Sequence, residues 1–96
     1  MRREKLSEAE IAAQLAKLPG WNVVGGKLHR EFVCKDFVEA FGKMASVALE
    51  AEKMDHHPDW SNVWNIVTVD LMTHSAGGLT ALDFELARKI TKIFGG

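Results

Sequence analysis

A chain of 96 residues with 47% hydrophobic and 26% charged residues describes one ordinary globular domain, residues 1–96, and excludes a disordered or low-complexity chain. Its formal net charge of −1 excludes a phosphate-backbone binder, which needs a basic face, and Arg2, Arg3 and Lys5 are scattered enough to read as a solvated start. The single cysteine, Cys34, excludes an intramolecular disulfide and favours a reducing compartment, and with no apolar run suited to a signal peptide or a membrane span the expected setting is cytoplasmic.

Ser7 opens the first predicted helix, with Glu10 three residues on in the S-x-x-E pattern of a capping box. Ile11, Leu15 and Leu18 recur at helical spacing until Pro19-Gly20 stops it. In the GWNVVGGKLHREFVC stretch, Gly25-Gly26 between two β-rich runs predicts a hairpin, because glycine tolerates the positive φ of tight turns. Asp36 opens a second helix, with Glu39 at its N3 position. Its apolar stripe reads as Phe37, Phe41, Met44, Ala48 and Ala51. Small residues from Ala40 to Ala48 make this helix slim, which suits close packing in a core or at a subunit interface. Pro58 sets its end by disfavouring helical angles at His57.

From residue 62 to 74 the β-formers dominate, as one bent strand or as two joined near Asn65-Ile66. Strand parity sets Val67, Val69, Leu71 and Thr73 on the expected core face, with Thr68, Asp70, Met72 and His74 on the other. Residues 75–78 read as a loop. Thr80 then caps a third helix with Asp83 at N3, followed by Leu82, Leu86, Lys89 and Ile93 at helical spacing. Arg88, Lys89 and Lys92 lie in its second half, where cations complement the macrodipole. The order α-β-β-α-β(β)-α, rich in hairpins, predicts an α+β fold with an antiparallel sheet and the helices on one face.

Three of the four histidines fall within this second half. His56 and His57 are adjacent where a helix turns into a strand, so their imidazoles diverge and can line one pocket from different sides. His74, at the end of the following strand, can return to the same place. Imidazole exchanges a proton near neutral pH, so such a set suits a reaction needing an acid at one atom and a base at another. Packing or plain surface exposure is the competing reading. Zinc is a third, with Asp55 or Asp59 as a carboxylate, but neither H-x-H nor histidines at i and i+4 on one helix are present. His29 reads as a surface residue, Cys34 as a small buried apolar one, and Trp21 as core. Asp83 is accounted for by its cap position alone. Trp60 and Trp64 either pack the sheet or wall a pocket for a flat heterocycle. Read from its residues, the chain reaches a histidine-lined acid–base pocket and no particular substrate.

The spacing of these residues strongly resembles the pterin-4a-carbinolamine dehydratases, also known as the dimerisation cofactor of hepatocyte nuclear factor family. The family pattern is an acidic residue, His-His-Pro, an aromatic, a histidine and Asp-aromatic. Here these are Glu52, His56-His57-Pro58, Trp64, His74 and Asp83-Phe84. The likeness extends to Gly20-Trp21, Lys35-Asp36-Phe37, Ala40-Phe41 and residues 48–53, and runs from about residue 6 to 93. It implies a two-layer fold, a four-stranded antiparallel sheet with three helices packed on one face. It also implies a hydro-lyase that dehydrates 4a-hydroxytetrahydropterin to quinonoid dihydropterin, recycling the tetrahydropterin of aromatic amino acid hydroxylases without a metal or organic cofactor.

By the same resemblance His56 and His74 are the acid–base pair and His57 holds and polarises the substrate. Glu52, Asp55, Pro58, Thr73, Ser75 and Asp83 are the implied pterin contacts, Asp83 also orienting a histidine. The implied assembly is a homodimer that joins its sheets, or a homotetramer through the second helix, with no membrane or direct nucleic-acid partner. The alternative from another class is a binding module, since some animal relatives stabilise a transcription-factor dimer. A relative serving another pterin pathway is the third reading.

Overall fold

The ends of the elements are set by local side-chain chemistry in the computed structural model, which describes residues 3–96; Arg2 lies outside the described residues. Helix α1 (Glu8–Leu15) starts with reciprocal bonds, the Glu10 N–H to Ser7 Oγ at 3.1 Å and the Ser7 N–H to Glu10 Oε1 at 2.9 Å. Strands β1 (Asn22–Val24) and β2 (Lys27–Val33) are joined by the glycine pair, with φ of 59° at Gly25 and 79° at Gly26. Helix α2 (Phe37–Met54) opens under the Asp36 carboxylate, which accepts the Glu39 N–H at 2.8 Å. It closes on Asp55, held in the left-handed region at φ 50° with its N–H directed to the Ala51 and Glu52 carbonyls. Strands β3 (Asp59–Val63) and β4 (Ile66–Leu71) follow, then a 3-10 turn at His74–Ala76 and helix α3 (Ala81–Phe94).

The stretch from 62 to 74 therefore holds two strands, and β3 begins three residues earlier, directly after Pro58. Val63 pairs with Ile66 across a turn made by Trp64 and Asn65. Trp64 sits at φ 52°, and the Asn62 amide ties the turn by donating to the Trp64 and Ile66 carbonyls at 3.0 and 2.9 Å. Bulky residues rarely adopt that conformation, so the turn carried no glycine signal.

The four strands run antiparallel in the order β1-β2-β4-β3, with the helices on one side. Leu28 and Phe32 of β2 and Val67, Val69 and Leu71 of β4 point into the core, as parity predicts. They meet Ala40, Val47 and Ala51 of α2 and Phe84, Leu86, Ala87 and Ile90 of α3. Each fully buried large apolar side chain contributes about 1.5–3 kcal/mol of transfer free energy. Trp21 is buried as expected, its indole N–H donating to Thr91 Oγ1 at 2.8 Å.

The buried stripe of α2 corrects the expectation. Ala40, Met44, Val47, Ala51 and Met54 face inward, the expected spacing begun three residues later. Phe37 and Phe41 are instead 50% and 60% exposed. α2 packs against α3 and β4, and alanines let backbones approach where phenylalanine would hold them apart. The opposite face of the sheet is mixed, with Val33, Val63 and Ile66 at one end and polar pairs at the other. There His29 Nδ1 and Asp70 Oδ1 lie 2.8 Å apart, and Lys27 Nζ donates to Asp59 Oδ2 at 2.8 Å. No helix among the described residues is long and apolar enough to cross a membrane.

Candidate functional site

Asp55 decides where the two adjacent histidines go. Its left-handed backbone reverses the chain at the end of α2, and the His56 N–H then returns to the Ala51 carbonyl at 3.1 Å. His56 turns inward and is 5% exposed, while His57 stays exposed. His56 Nε2 lies 2.6 Å from Asp83 Oδ1, and Asp83 is fully buried. The other carboxylate oxygen, Oδ2, accepts the Thr80 N–H and the Thr73 hydroxyl, each at 2.9 Å. The Thr73 and Thr80 hydroxyls are themselves 2.7 Å apart.

A carboxylate that accepts at both oxygens fixes the tautomer behind it. His56 Nε2 carries the hydrogen, and Nδ1 is left without a partner among the described residues. Asp83 thus performs two tasks at once, capping α3 and holding His56. Burial raises the stakes of such a network, because each unpaired member would cost about 1–3 kcal/mol. Among the described residues no buried side-chain nitrogen or oxygen lacks a partner.

The other two histidines are less constrained. His57 Nε2 is 2.8 Å from Glu52 Oε1, one turn back on α2, in an exposed pair of small energetic weight. His74 begins the 3-10 turn after β4, exposed, and neither ring nitrogen has a hydrogen-bond partner among the described residues.

A cavity of about 250 Å³ brings His56, His57 and His74 together with Asp55, Thr73 and Ser75, and Met72 and Arg3 complete its lining. Glu52, Pro58 and Asp83 do not line it. Asp83 stands behind His56, Pro58 is half-buried between His57 and β3, and Glu52 faces a broader groove of about 900 Å³ along α2 and α3, beside Leu49 and Ile93. Trp60 packs against the core and Trp64 stands 66% exposed at the β3–β4 turn, so neither walls the cavity.

Arg3 is the lining residue that the sequence reading missed. Its Nη2 donates to the Asp55 carbonyl at 3.3 Å. No local motif marks it, because its position comes from the path of residues 3–6 across the fold.

The Lys27 ammonium, hydrogen-bonded to Asp59, holds that carboxyl below the ordinary carboxylate range, with a smaller contribution from His74. Burial pushes the Cys34 thiol above its ordinary value, and Cys34 stands apart from the cavity lining. Among the described residues no three of His, Cys, Asp and Glu gather as a metal-binding set. The arrangement offers one buried imidazole backed by a carboxylate, one exposed imidazole with no ring partner among the described residues, and polar groups around a small cavity.

The family model described as Pterin 4 alpha carbinolamine dehydratase matches residues 4–93. A protein of Mesorhizobium japonicum is 56% identical over 98 residues, covering 100% of both chains. One of Solibacter usitatus is 54% identical over 92 residues, covering 96% of this chain and 97% of its own. Both bear the name "Putative pterin-4-alpha-carbinolamine dehydratase". A crystal structure from Brucella melitensis, titled transcriptional coactivator/pterin dehydratase, superposes with a TM-score of 0.92 at 49% identity, over 96% of this chain and 100% of that one.

Proposed function

The chain belongs to the pterin-4a-carbinolamine dehydratase family, and from that premise we propose that it dehydrates a 4a-hydroxytetrahydropterin by histidine acid–base catalysis. In the reaction the C4a–O bond breaks, the hydroxyl takes a proton and leaves as water, N5 loses its proton, and a C4a=N5 double bond forms. The observation that carries the reading is the buried contact between His56 and Asp83. A carboxylate behind an imidazole stabilises the imidazolium that forms when Nδ1 accepts a proton. His56 is accordingly the base toward N5–H. His74, exposed and with no ring partner among the described residues, is the acid toward the departing hydroxyl, and solvent resets both.

His57, steadied by Glu52, holds and polarises the substrate. Asp55, Thr73 and Ser75 offer acceptors and donors to the polar edge of a pterin, and Pro58 and Glu52 shape the approach. The chemistry is that of a lyase needing no metal or organic cofactor. Its setting on this reading is tetrahydropterin recycling in the cytoplasm, beside an aromatic amino acid hydroxylase. The exposed Phe37, Val38, Phe41 and Leu49 of α2 support assembly into a homodimer or homotetramer. The same exposed face, with the coactivator title of the Brucella structure, favours a second reading as a binding module for another protein.

The test is a carbinolamine dehydration assay, with the uncatalysed rate subtracted, on wild type, His56→Ala and His74→Ala. The wild type accelerates the reaction and keeps doing so in chelator, and each variant lowers turnover by roughly 10²–10⁴. Activity lost in chelator and restored by zinc would sink the metal-free chemistry. A His74→Ala protein that changes only substrate binding removes its role as the acid.

A further inference from the structure

Residues 3–6 bring a permanent cation to the rim of the histidine cavity. The Leu6 N–H is fixed to the Leu79 carbonyl at 2.8 Å. Lys5 lays its aliphatic stem against Gly78, where an added Cβ would come within 2.8 Å of Lys5 Cε. Arg3 then reaches the Asp55 carbonyl with Nη2 at 3.3 Å. Three successive anchors make this arm part of the cavity wall.

The guanidinium is not neutralised there. Arg3 uses one of its five N–H donors on a backbone carbonyl, and no carboxylate pairs with it among the described residues. Asp55 meets Arg3 through its main chain, which leaves the Asp55 carboxylate for the amino edge of a pterin. The cavity, about 250 Å³, is smaller than the roughly 300–1,000 Å³ that encloses drug-sized ligands. It is of a size for a bicyclic ring, and a ring bound against the histidines would share the cavity with Arg3, which lines it too. An arginine with free donors at that point complements an anion, because its planar fork matches carboxylate and phosphate oxygens.

We propose that Arg3 is a specificity-determining residue, favouring pterins whose side chain carries a carboxylate or phosphate over those with a neutral one. The inference rests on the pterin reading of the cavity given above.

The experiment compares three 4a-hydroxy substrates, with a neutral polyol side chain, its monophosphate, and a side chain ending in a carboxylate. Wild type is expected to show kcat/KM about tenfold higher for an anionic substrate, the scale of one charge-assisted hydrogen bond, and the preference shrinks as salt screens it. Whether the phosphate or the carboxylate gains more identifies the tail. Arg3→Gln raises KM for that substrate about tenfold more than for the neutral one, so that the anionic preference is lost, and Arg3→Lys keeps part of the preference. Equal loss on all three substrates, or no change on any, overturns the assignment. If no substrate turns over above background, equilibrium titration with stable dihydropterins bearing the same side chains reads Arg3 separately. Tighter binding of an anionic dihydropterin, lost in Arg3→Gln, upholds the subsite while refuting the dehydratase reading. Equal binding of all three refutes the subsite.

Discussion

Replacing Asp83 by asparagine keeps the shape of the buried side chain and changes only what its atoms can accept. The carboxylate receives His56 Nε2 at 2.6 Å on one oxygen, and the Thr73 hydroxyl and Thr80 N–H at 2.9 Å on the other. An amide has one acceptor oxygen and two donor hydrogens. With its oxygen toward the threonines, the NH₂ faces His56 Nε2, which must then give up its hydrogen and accept. In the opposite orientation the NH₂ meets the Thr80 N–H, a buried donor left unsatisfied at about 1–3 kcal/mol. The first orientation therefore wins, and the charge assistance of these bonds is lost at a cost of about 2 kcal/mol. At about 4–8 °C per kcal/mol for a chain of this size, Tm falls by roughly 8–16 °C. The hydrogen that moves to Nδ1 removes the cavity-facing acceptor, so turnover falls by about 10²–10⁴. Thermal melting by circular dichroism, beside the background-corrected dehydration rate, reads both effects. A variant that melts lower yet turns over at the wild-type rate reduces Asp83 to a helix cap. One that matches wild type in both refutes the network argument.

His74→Ala separates stability from chemistry more sharply. With no partner for its ring among the described residues, its loss should move stability by no more than about 0.5 kcal/mol, and a melting shift well beyond that means it packs against something after all. Ser7→Ala deletes the cap of α1 and should cost about 1 kcal/mol, read in denaturant titrations; an unchanged midpoint shows the cap contributes nothing. The Lys27–Asp59 pair predicts a pH signature. Asp59 is held below its unfolded value by Lys27, so its stabilisation is present above the unfolded carboxylate pKa and lost as pH falls through the depressed one. The stability gap between wild type and Lys27→Met should be constant near neutrality and close in acid, and a gap that persists in acid contradicts this. Cys34, buried and with its thiol pushed up, should alkylate slowly in the native protein and fast in denaturant; rapid native labelling would place it at the surface.

Much of the fold was legible because short-range rules fixed it. Ser7, Asp36 and Thr80 mark their helices through side-chain bonds made within three residues, and parity along β4 follows from the pleat alone. The stripe of α2 was not legible, because this helix carries two apolar faces at the same spacing. Only the approach of α3 and β4 selects the alanine-rich one and leaves Phe37 and Phe41 outside. Trp64 at positive φ defeated turn rules that look for glycine or asparagine. At the site, the histidine cluster was visible through spacing, but its hierarchy was not. That His56 is buried and His74 open depends on Asp55 reversing the chain and on Thr73 and Thr80 sharing a carboxylate with it. Arg3 arrives from 52 residues away in sequence, and no local pattern encodes that.

The left-handed Asp55 carries a wider consequence. A non-glycine residue at φ 50° sits in a conformation that disfavours most side chains by about 1 kcal/mol or more. Glycine would relieve that strain at a helix terminus where it is the commonest choice, at some cost in unfolded-chain entropy. It would also remove the carboxylate of a residue that lines the cavity and loosen the hinge from which His56 and His57 part. Thermal robustness and pocket composition thus compete for a single position. Directed evolution for heat resistance alone should find Asp55→Gly, whereas selection that also demands turnover should reject it.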